Sequence, residues 1–291
     1  MKINKFFIVT ALFFMSLIVF TGFAKAEEIN NTSKEKDVEK IRTYLESNVS
    51  NMSTKFSTLE KDAKLEDIER IIENYYKENP APKEMNDDNN ISLEDVFPEL
   101  TKKHEKAYLK SKGILNKFIE DQNESSDLGE VFTYEYENSS KVDVYLGKTG
   151  EISITEFKTV KEAPLVQPFA EKQTRIQRTT GISYNATGSK CFTLWAESGF
   201  KYDGKKVSPI NRDADWNRHP AGSTINLLPQ VMPKTRDVVL GKYTYKEVYA
   251  RLKYESGWGI RWASVTMKSG TVESLVGCTV DGSIYGSAKR I

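Results

Sequence analysis

Apolar side chains in the first third of the chain recur every three or four residues, which is the period of an amphipathic helix. Two such stripes consist of Val38, Ile41, Leu45, Val49 and Met52, and of Leu65, Ile68, Ile72 and Tyr75. A third stripe comprises Leu100, His104, Ala107, Ile114 and Phe118. The run Ser92-Leu93-Glu94-Asp95 has the form of a capping box at a helix start. The pattern therefore predicts three N-terminal helices.

The period changes to two in the rest of the chain, where apolar and polar residues alternate as in half-buried strands. The runs VFTYEYE, KVDVYLG and EISITEF are separated by short turns and predict a small antiparallel meander. Further runs are KCFTLWAE, FKYDGKKV with an Asp203-Gly204 hairpin turn, STINLLPQVM, and EVYARLKYE with Val248, Ala250, Leu252 and Tyr254 on one face. Residues 260–288 add three or four strands. The prediction is an α+β N-terminal region, helices followed by the meander, and then an all-β C-terminal sandwich or barrel.

No period is sustained between residues 158 and 181, where two prolines stand among scattered basic residues. Such a stretch is typical of a linker. We therefore predict a signal peptide at residues 1–26, an acidic helical and α+β domain at 27–157, a linker at 158–181 and a basic β domain at 182–291.

The first 26 residues predict export. A cationic head that contains Lys2 and Lys5 precedes an apolar run over residues 6–23, and Ala24-Lys25-Ala26 supplies small residues for cleavage. An uncleaved membrane anchor is the alternative, because the run is long enough to span a bilayer. No second apolar stretch approaches that length. We expect a secreted, extracellular protein with no transmembrane segment after signal removal, and the Lys-, Asn-, Glu- and Ser-rich composition is typical of a Gram-positive bacterium.

A net charge of only +1 conceals two halves of opposite charge. Residues 27–165 carry a net charge of −11, whereas residues 166–291 carry +9. Opposite charges of this size steer two surfaces together. We expect an intramolecular contact between the acidic and the basic half, with the acidic region covering the β domain. Solvated surface on both halves is the alternative.

Both cysteines, Cys191 and Cys278, lie in the basic half. An even cysteine count in an exported chain predicts a disulfide. A bridge that closes so long a loop would stabilise the fold by about 4 kcal/mol through the entropy of the unfolded chain. A catalytic thiol is the alternative.

Residues with possible catalytic or metal-binding side chains are densest in the stretch NRDADWN (residues 211–217), where oxygen-bearing side chains alternate. Asp213 and Asp215 could form an acid/base pair if their pKa values differed, with His219 or Glu197 as a partner. Alternating oxygens could also surround calcium, but the stretch lacks the glycine and the glutamate of an EF-hand. Neighbouring arginines favour two ionised aspartates. We therefore predict a polar loop between strands, with Trp216 packed on one side.

The common enzyme signatures are missing from the sequence. There is no zinc-protease, nucleophile-elbow, Walker, C-x-x-C or dinucleotide motif. The two histidines lie in different halves, which argues against a zinc site. We therefore expect no cofactor and no metal. The positive charges are not clustered in one run, which argues against a nucleic-acid partner.

All four tryptophans lie in the basic half, at Trp195, Trp216, Trp258 and Trp262. Aromatic rings beside basic residues such as Arg218 suit contact with a cell-surface polymer, a lipid or a protein receptor, although most rings must fill the core. The leading hypothesis is a secreted, non-enzymatic binding or antagonist protein that acts at a cell surface in an antibacterial role. The alternatives are a secreted hydrolase made as a proprotein and a structural component of a cell or spore surface.

Overall fold

The computed structural model describes residues 33–85, 91–99, 129–136, 140–162, 172–240, 243–256 and 270–291. The predicted signal peptide, the predicted third helix with His104, and the tryptophans Trp258 and Trp262 lie outside these ranges. Helices come first along the described chain and strands follow. The predicted layout, an α+β region followed by an all-β region, is confirmed. Within the described ranges, no helix is long and apolar enough to cross a membrane.

Two helices form the outer layer of the N-terminal region. They are α1 at residues 33–57 and α2 (Leu65–Glu78), followed by a 3-10 turn (Lys83–Met85) and the single-turn α3 (Leu93–Val96). The predicted stripes are their buried faces, since Ile41, Leu45, Met52, Ile68 and Ile72 are fully buried. The predicted capping box is present. The Ser92 N–H donates to Asp95 Oδ2 (2.7 Å), and the Asp95 N–H donates to Ser92 Oγ (3.2 Å).

Six antiparallel strands form the larger sheet, in the order β1-β2-β3-β5-β6-β9. They are β1 (Gly129–Tyr136), β2 (Ser140–Gly147), β3 (Ile152–Lys161), β5 (Ile176–Tyr184), β6 (Lys190–Ser198) and β9 (Asp213–Arg218). The predicted meander is β1 to β3. Helices α1 and α2 cover one face of the sheet at its β1 end, where Val144, Ile154 and Ile182 pack in one cluster with Ile68 and Ile72.

Four antiparallel strands form a second sheet, in the order β10-β11-β12-β13. They are β10 (Ile225–Leu240), β11 (Tyr243–Ser256), β12 (Gly270–Thr279) and β13 (Ile284–Arg290). The predicted inward face of β11 is confirmed, because Val248, Ala250, Leu252 and Tyr254 are all buried. Ala250 and Leu252 pack against Leu194 of β6, on the face of the larger sheet that does not carry the helices. The larger sheet is thus a middle layer between the helices and the second sheet.

Three short strands form a small third sheet, namely β4 (Lys172–Gln173), β7 (Phe200–Tyr202) and β8 (Val207–Pro209). The predicted Asp203-Gly204 turn joins β7 to β8. Gly204 has a φ of +84°, a conformation that favours glycine. Asp203 Oδ1 accepts the backbone N–H groups of Lys205 (2.8 Å) and Lys206 (2.7 Å), which closes the turn.

The predicted linker is wrong for the part of it that the structure describes. Residues 158–161 are the end of β3, residues 176–181 are the start of β5, and the two strands are hydrogen-bonded neighbours. Strand β5 shows no period of two because the second sheet covers one of its faces and the helices cover the other face at its Ile182 end. Thr179 and Thr180, which point to opposite faces, are therefore both buried.

The acidic and the basic half consequently share one sheet and one core. Strand β3 of the acidic half pairs with β5 of the basic half along its whole length. Glu69 of α2 adds a polar link, since its carboxylate accepts from the Tyr184 hydroxyl (3.0 Å) and pairs with Lys190. Thr155 of β3 also donates to the carbonyl oxygen of Ala288 in the second sheet (3.0 Å).

The predicted disulfide is wrong, since Cys191 and Cys278 are both free and buried. Cys191 lies on β6 in the cluster that contains Leu194 and Leu252, whereas Cys278 lies on β12 in a separate cluster with Phe200. Each thiol fills core space in its own cluster. Burial raises the pKa of both thiols to about 12, which also argues against a catalytic thiol.

Alkylation should reveal this state directly. Because the thiolate is the reactive form and both thiols are buried with a raised pKa, native protein at pH 8 should take up almost no iodoacetamide. The denatured protein should take up one label on each of Cys191 and Cys278 without any reductant, as measured by intact mass. A denatured, unreduced protein that takes up no label would restore the disulfide.

Candidate binding face

Strand pairing brings several predicted site residues to one face of the larger sheet. Partners in an antiparallel pair point to the same side, with their β carbons about 5 Å apart. Trp195 on β6 is the partner of Asp215 on β9, and Glu197 is the partner of Asp213. Across β6, Arg178 on β5 is the partner of Glu197. These five residues, Arg178, Trp195, Glu197, Asp213 and Asp215, are called the Trp195 face below.

A stack of Arg178 on Trp195 is the centre of this face. The guanidinium carbon lies 4.1 Å from the centroid of the half-buried ring. Glu197 Oε2 accepts from Nε (3.0 Å) and from Nη2 (2.6 Å) of the arginine, which fixes the guanidinium plane. Such a stack stabilises the arrangement by roughly 0.5–2 kcal/mol. The ring and its polar neighbours are therefore held in place before any ligand arrives.

Strand β9 supplies two carboxylates at the edge of the sheet. Asp213 and Asp215 are exposed, and each accepts the backbone N–H of the following residue through Oδ1, at 2.9 Å and 2.7 Å. A carboxylate has two acceptor oxygens, so each aspartate keeps capacity for hydrogen bonds to a ligand. Counted with Arg178 and Glu197, the Trp195 face carries a formal charge of −2.

The stretch NRDADWN is mostly an edge strand, so the predicted polar loop is wrong. Its alternation turns the two aspartates to solvent and turns Ala214 and Trp216 toward the core cluster. The predicted packing of Trp216 is confirmed. Because alternate residues of a strand face opposite sides, Trp216 and the exposed Arg218 lie on the side of the sheet away from Trp195.

His219 does not join the carboxylates. It follows β9 four residues after Asp215, a separation of roughly 13 Å along an extended chain. Its Nε2 is hydrogen-bonded to Thr193 Oγ1 at 2.9 Å. Burial lowers the pKa of His219, and the positive charge of Lys190 lowers it further, so the imidazole is neutral at pH 7. The acid/base set of a hydrolase is therefore not assembled around His219.

No three His, Cys, Asp or Glu side chains of the described residues are grouped so that they could hold a metal ion.

The two sides of the Trp195 face differ in their exposure to solvent. Toward the helices, the buried Glu156 accepts from the Tyr136 hydroxyl (2.9 Å) and pairs with Lys158 (2.8 Å). Toward β9, the aspartates are open to solvent.

Sequence reasoning misses Arg178, because it places this residue in the linker. The stack depends on the register of β5 against β6, and the sequence of neither strand alone shows that the two strands pair.

A search of protein-family models, curated proteins and solved structures found no match to this chain.

Proposed function

We propose that this is an exported protein that binds glycans at a cell surface through the Trp195 face and does not turn them over. The observation that carries the proposal is the half-buried Arg178–Trp195 stack, which Glu197 fixes beside two exposed carboxylates of the edge strand. Export rests on the cationic head, the apolar run and the cleavage site of the first 26 residues.

The chemistry of this face suits sugars. A sugar ring offers a face of C–H groups that packs on an aromatic ring, and its hydroxyl groups donate to carboxylates. Asp213 and Asp215 lie on the strand next to Trp195, at the edge of the sheet, as acceptors. Arg178 lies over one face of the ring and supplies donors, so in this proposal the sugar packs on the other face. A half-buried ring beside exposed carboxylates at a sheet edge suits one side of a polymer chain rather than a small molecule that must be enclosed.

The charge of the face narrows the class of glycan. Three carboxylates against one guanidinium leave a formal charge of −2, which repels polyanions such as phosphate-rich wall polymers. Neutral sugars and amino sugars are therefore the preferred ligands. In this proposal the acidic N-terminal region is a fixed part of the binding protein, because β1 to β3 complete the sheet.

Substitution of Trp195 should separate binding from folding. Trp195→Ala removes the ring and leaves Arg178 without its stacking partner, so affinity for peptidoglycan stripped of its anionic polymers should fall at least tenfold. Trp216→Phe is the matched control, because Trp216 lies on the opposite side of the sheet and keeps an aromatic ring in the core. Sedimentation with the insoluble glycan measures binding, and thermal unfolding verifies the fold of each variant.

The same samples test the absence of turnover. The supernatant should contain no soluble glycan fragments by mass spectrometry after prolonged incubation with the wild-type protein. Equal affinities for wild type and Trp195→Ala would contradict the site. Fragments that accumulate with time, and that disappear in Asp213→Asn, would replace the proposal by the hydrolase alternative.

A further inference from the structure

A cleft of about 510 Å³ opens at the end of the sandwich where β13 meets β3, β5 and β7. Its volume falls in the range of small-molecule sites, roughly 300–1,000 Å³. Gln177 lines the cleft, whereas the next residue, Arg178, belongs to the Trp195 face. Because neighbouring residues of a strand point to opposite sides, the cleft and the Trp195 face lie on opposite sides of the larger sheet.

Aromatic rings form much of the wall of this cleft. Phe157, Tyr202 and Tyr285 line it together with two glycines. A β carbon at Gly282 would lie 2.2 Å from the Tyr202 ring, and one at Gly286 would lie 2.3 Å from the Phe157 ring, so glycine is what lets both rings approach the chain. The Tyr285 hydroxyl donates to a buried carboxylate at 2.7 Å, which holds that ring in place.

Two cations stand in the lining, and none of its described residues is acidic. Lys141 pairs with Asp143 (2.8 Å), and Arg175 pairs through Nε with Glu162 (2.7 Å). Both pairs are partly exposed, and such pairs contribute only about 0–1 kcal/mol each. A guanidinium carries five N–H donors, so Arg175 can hold an anion while it keeps Glu162.

One buried amide completes the lining. Gln177 is only 6% exposed, and its Nε2 donates to Thr159 Oγ1 at 2.9 Å. That contact uses one of the two amide donors, and the amide oxygen can accept from a hydroxyl group. The cleft therefore combines aromatic rings on which a ligand ring can pack, a fixed amide that can bind hydroxyl groups, and cations that can bind a negative charge.

We propose that this cleft binds a sugar that carries a negative charge, as a phosphate or as a carboxylate group. The sugar ring packs against the tyrosines, and the anion lies between Lys141 and Arg175. The inference does not rest on the proposed function, because the cleft uses different residues and prefers a ligand of opposite charge. Loss of one site leaves the other intact.

Glucose 6-phosphate and glucuronate are the probes, and unsubstituted glucose and inorganic phosphate are the controls. In NMR titrations of the full-length protein at fixed ionic strength, at least one charged sugar should bind at least tenfold more tightly than either control. If only one of the two charged sugars binds, that result shows whether the cleft prefers a phosphate or a carboxylate group. Failure of both charged sugars, or equal binding of glucose or of inorganic phosphate, overturns the proposal.

A double variant locates the binding. Lys141→Ala combined with Arg175→Ala should lower the affinity for the charged sugar at least tenfold. Lys205→Ala with Lys206→Ala removes the same charge from the exposed β7–β8 turn outside the cleft and should leave the affinity unchanged. Thermal unfolding verifies both folds, and shifts in the wild-type spectrum should include the Tyr202 and Tyr285 signals. Equal losses in the two double variants, or shifts that spare both tyrosines, would overturn the assignment to this cleft.

Discussion

Glu273→Ala is expected to lower the free energy of unfolding by about 3 kcal/mol, the lower end of the cost of breaking a buried ion pair, because the arginines left behind are partly exposed. Glu273 lies on β12 and is 1% exposed. Its carboxylate accepts from Nη1 and Nη2 of Arg236 at 2.9 Å and 2.8 Å, and from Nε of Arg251 at 2.8 Å. The substitution leaves two guanidinium groups, on side chains that are 27% and 34% exposed, without this partner.

The surrounding contacts make relaxation difficult. Both guanidinium groups also contact the Tyr249 ring, at 4.7 Å and 4.8 Å from its centroid, and Arg236 is held by the buried Glu247 as well. Neither arginine can turn to solvent without breaking these contacts. The network therefore fixes three neighbouring strands of the second sheet.

Asp237→Ala is the matched control for this prediction. Asp237 lies in the same sheet and pairs with Lys246, but its side chain is 62% exposed. Exposed pairs contribute about 0–1 kcal/mol, so this substitution should change stability little. Chemical denaturation of the three proteins gives the comparison. A loss below about 1 kcal/mol for Glu273→Ala would show that the network does not stabilise the second sheet.

Residues 172–291 expressed alone are expected not to fold. Without residues 33–161, β5 loses its partner β3 and becomes an unpaired edge. Ile182 and Tyr184 lose the helices that bury them, and each such exposure costs about 1.5–3 kcal/mol. The second sheet also loses Phe157, which packs with Val248 and Val276. Together these losses approach the total stability of a domain, about 5–15 kcal/mol.

Circular dichroism and size-exclusion chromatography test this expectation against residues 33–291, which should fold. A soluble, cooperatively unfolding 172–291 fragment would show that the acidic half is a separable cover. That result would favour a proprotein whose acidic region is removed. Aggregation or a non-cooperative transition is the outcome that the shared sheet predicts.

The helices and most strands follow from local patterns because each has one face in the core and one in solvent. The stripe of Ile41 and Leu45 and the alternation of Val248 and Leu252 are both of this kind. Strand β5 fails this rule, because β13 covers one face and the helices cover the other face at its Ile182 end. Its small residues, such as Gly181 packed under Ala288, reflect close approach and carry no alternation. Strand β9 does alternate, but its Asp and Asn residues are rare in strands and favour a loop prediction.

Only part of the candidate site could be predicted from the sequence. Trp195, Glu197, Asp213 and Asp215 can be named as polar or aromatic residues of the basic half, but their grouping depends on which strands pair. The stack with Arg178 and the three rings of the cleft join segments that are far apart along the chain. The free cysteines show the same limit, because an even count says nothing about whether two residues share a cluster.

The measurement closest to the central claim is a titration of ¹⁵N-labelled protein with soluble, uncharged glycan fragments such as oligomers of N-acetylglucosamine. The indole N–H signal of Trp195, identified by its loss in Trp195→Phe, should shift as the fragments bind. The signal of Trp216, identified in the same way, should stay in place because its ring packs on the opposite side of the sheet. Saturable binding that leaves the Trp195 signal unmoved, or the absence of any binding, would contradict a glycan site on the Trp195 face.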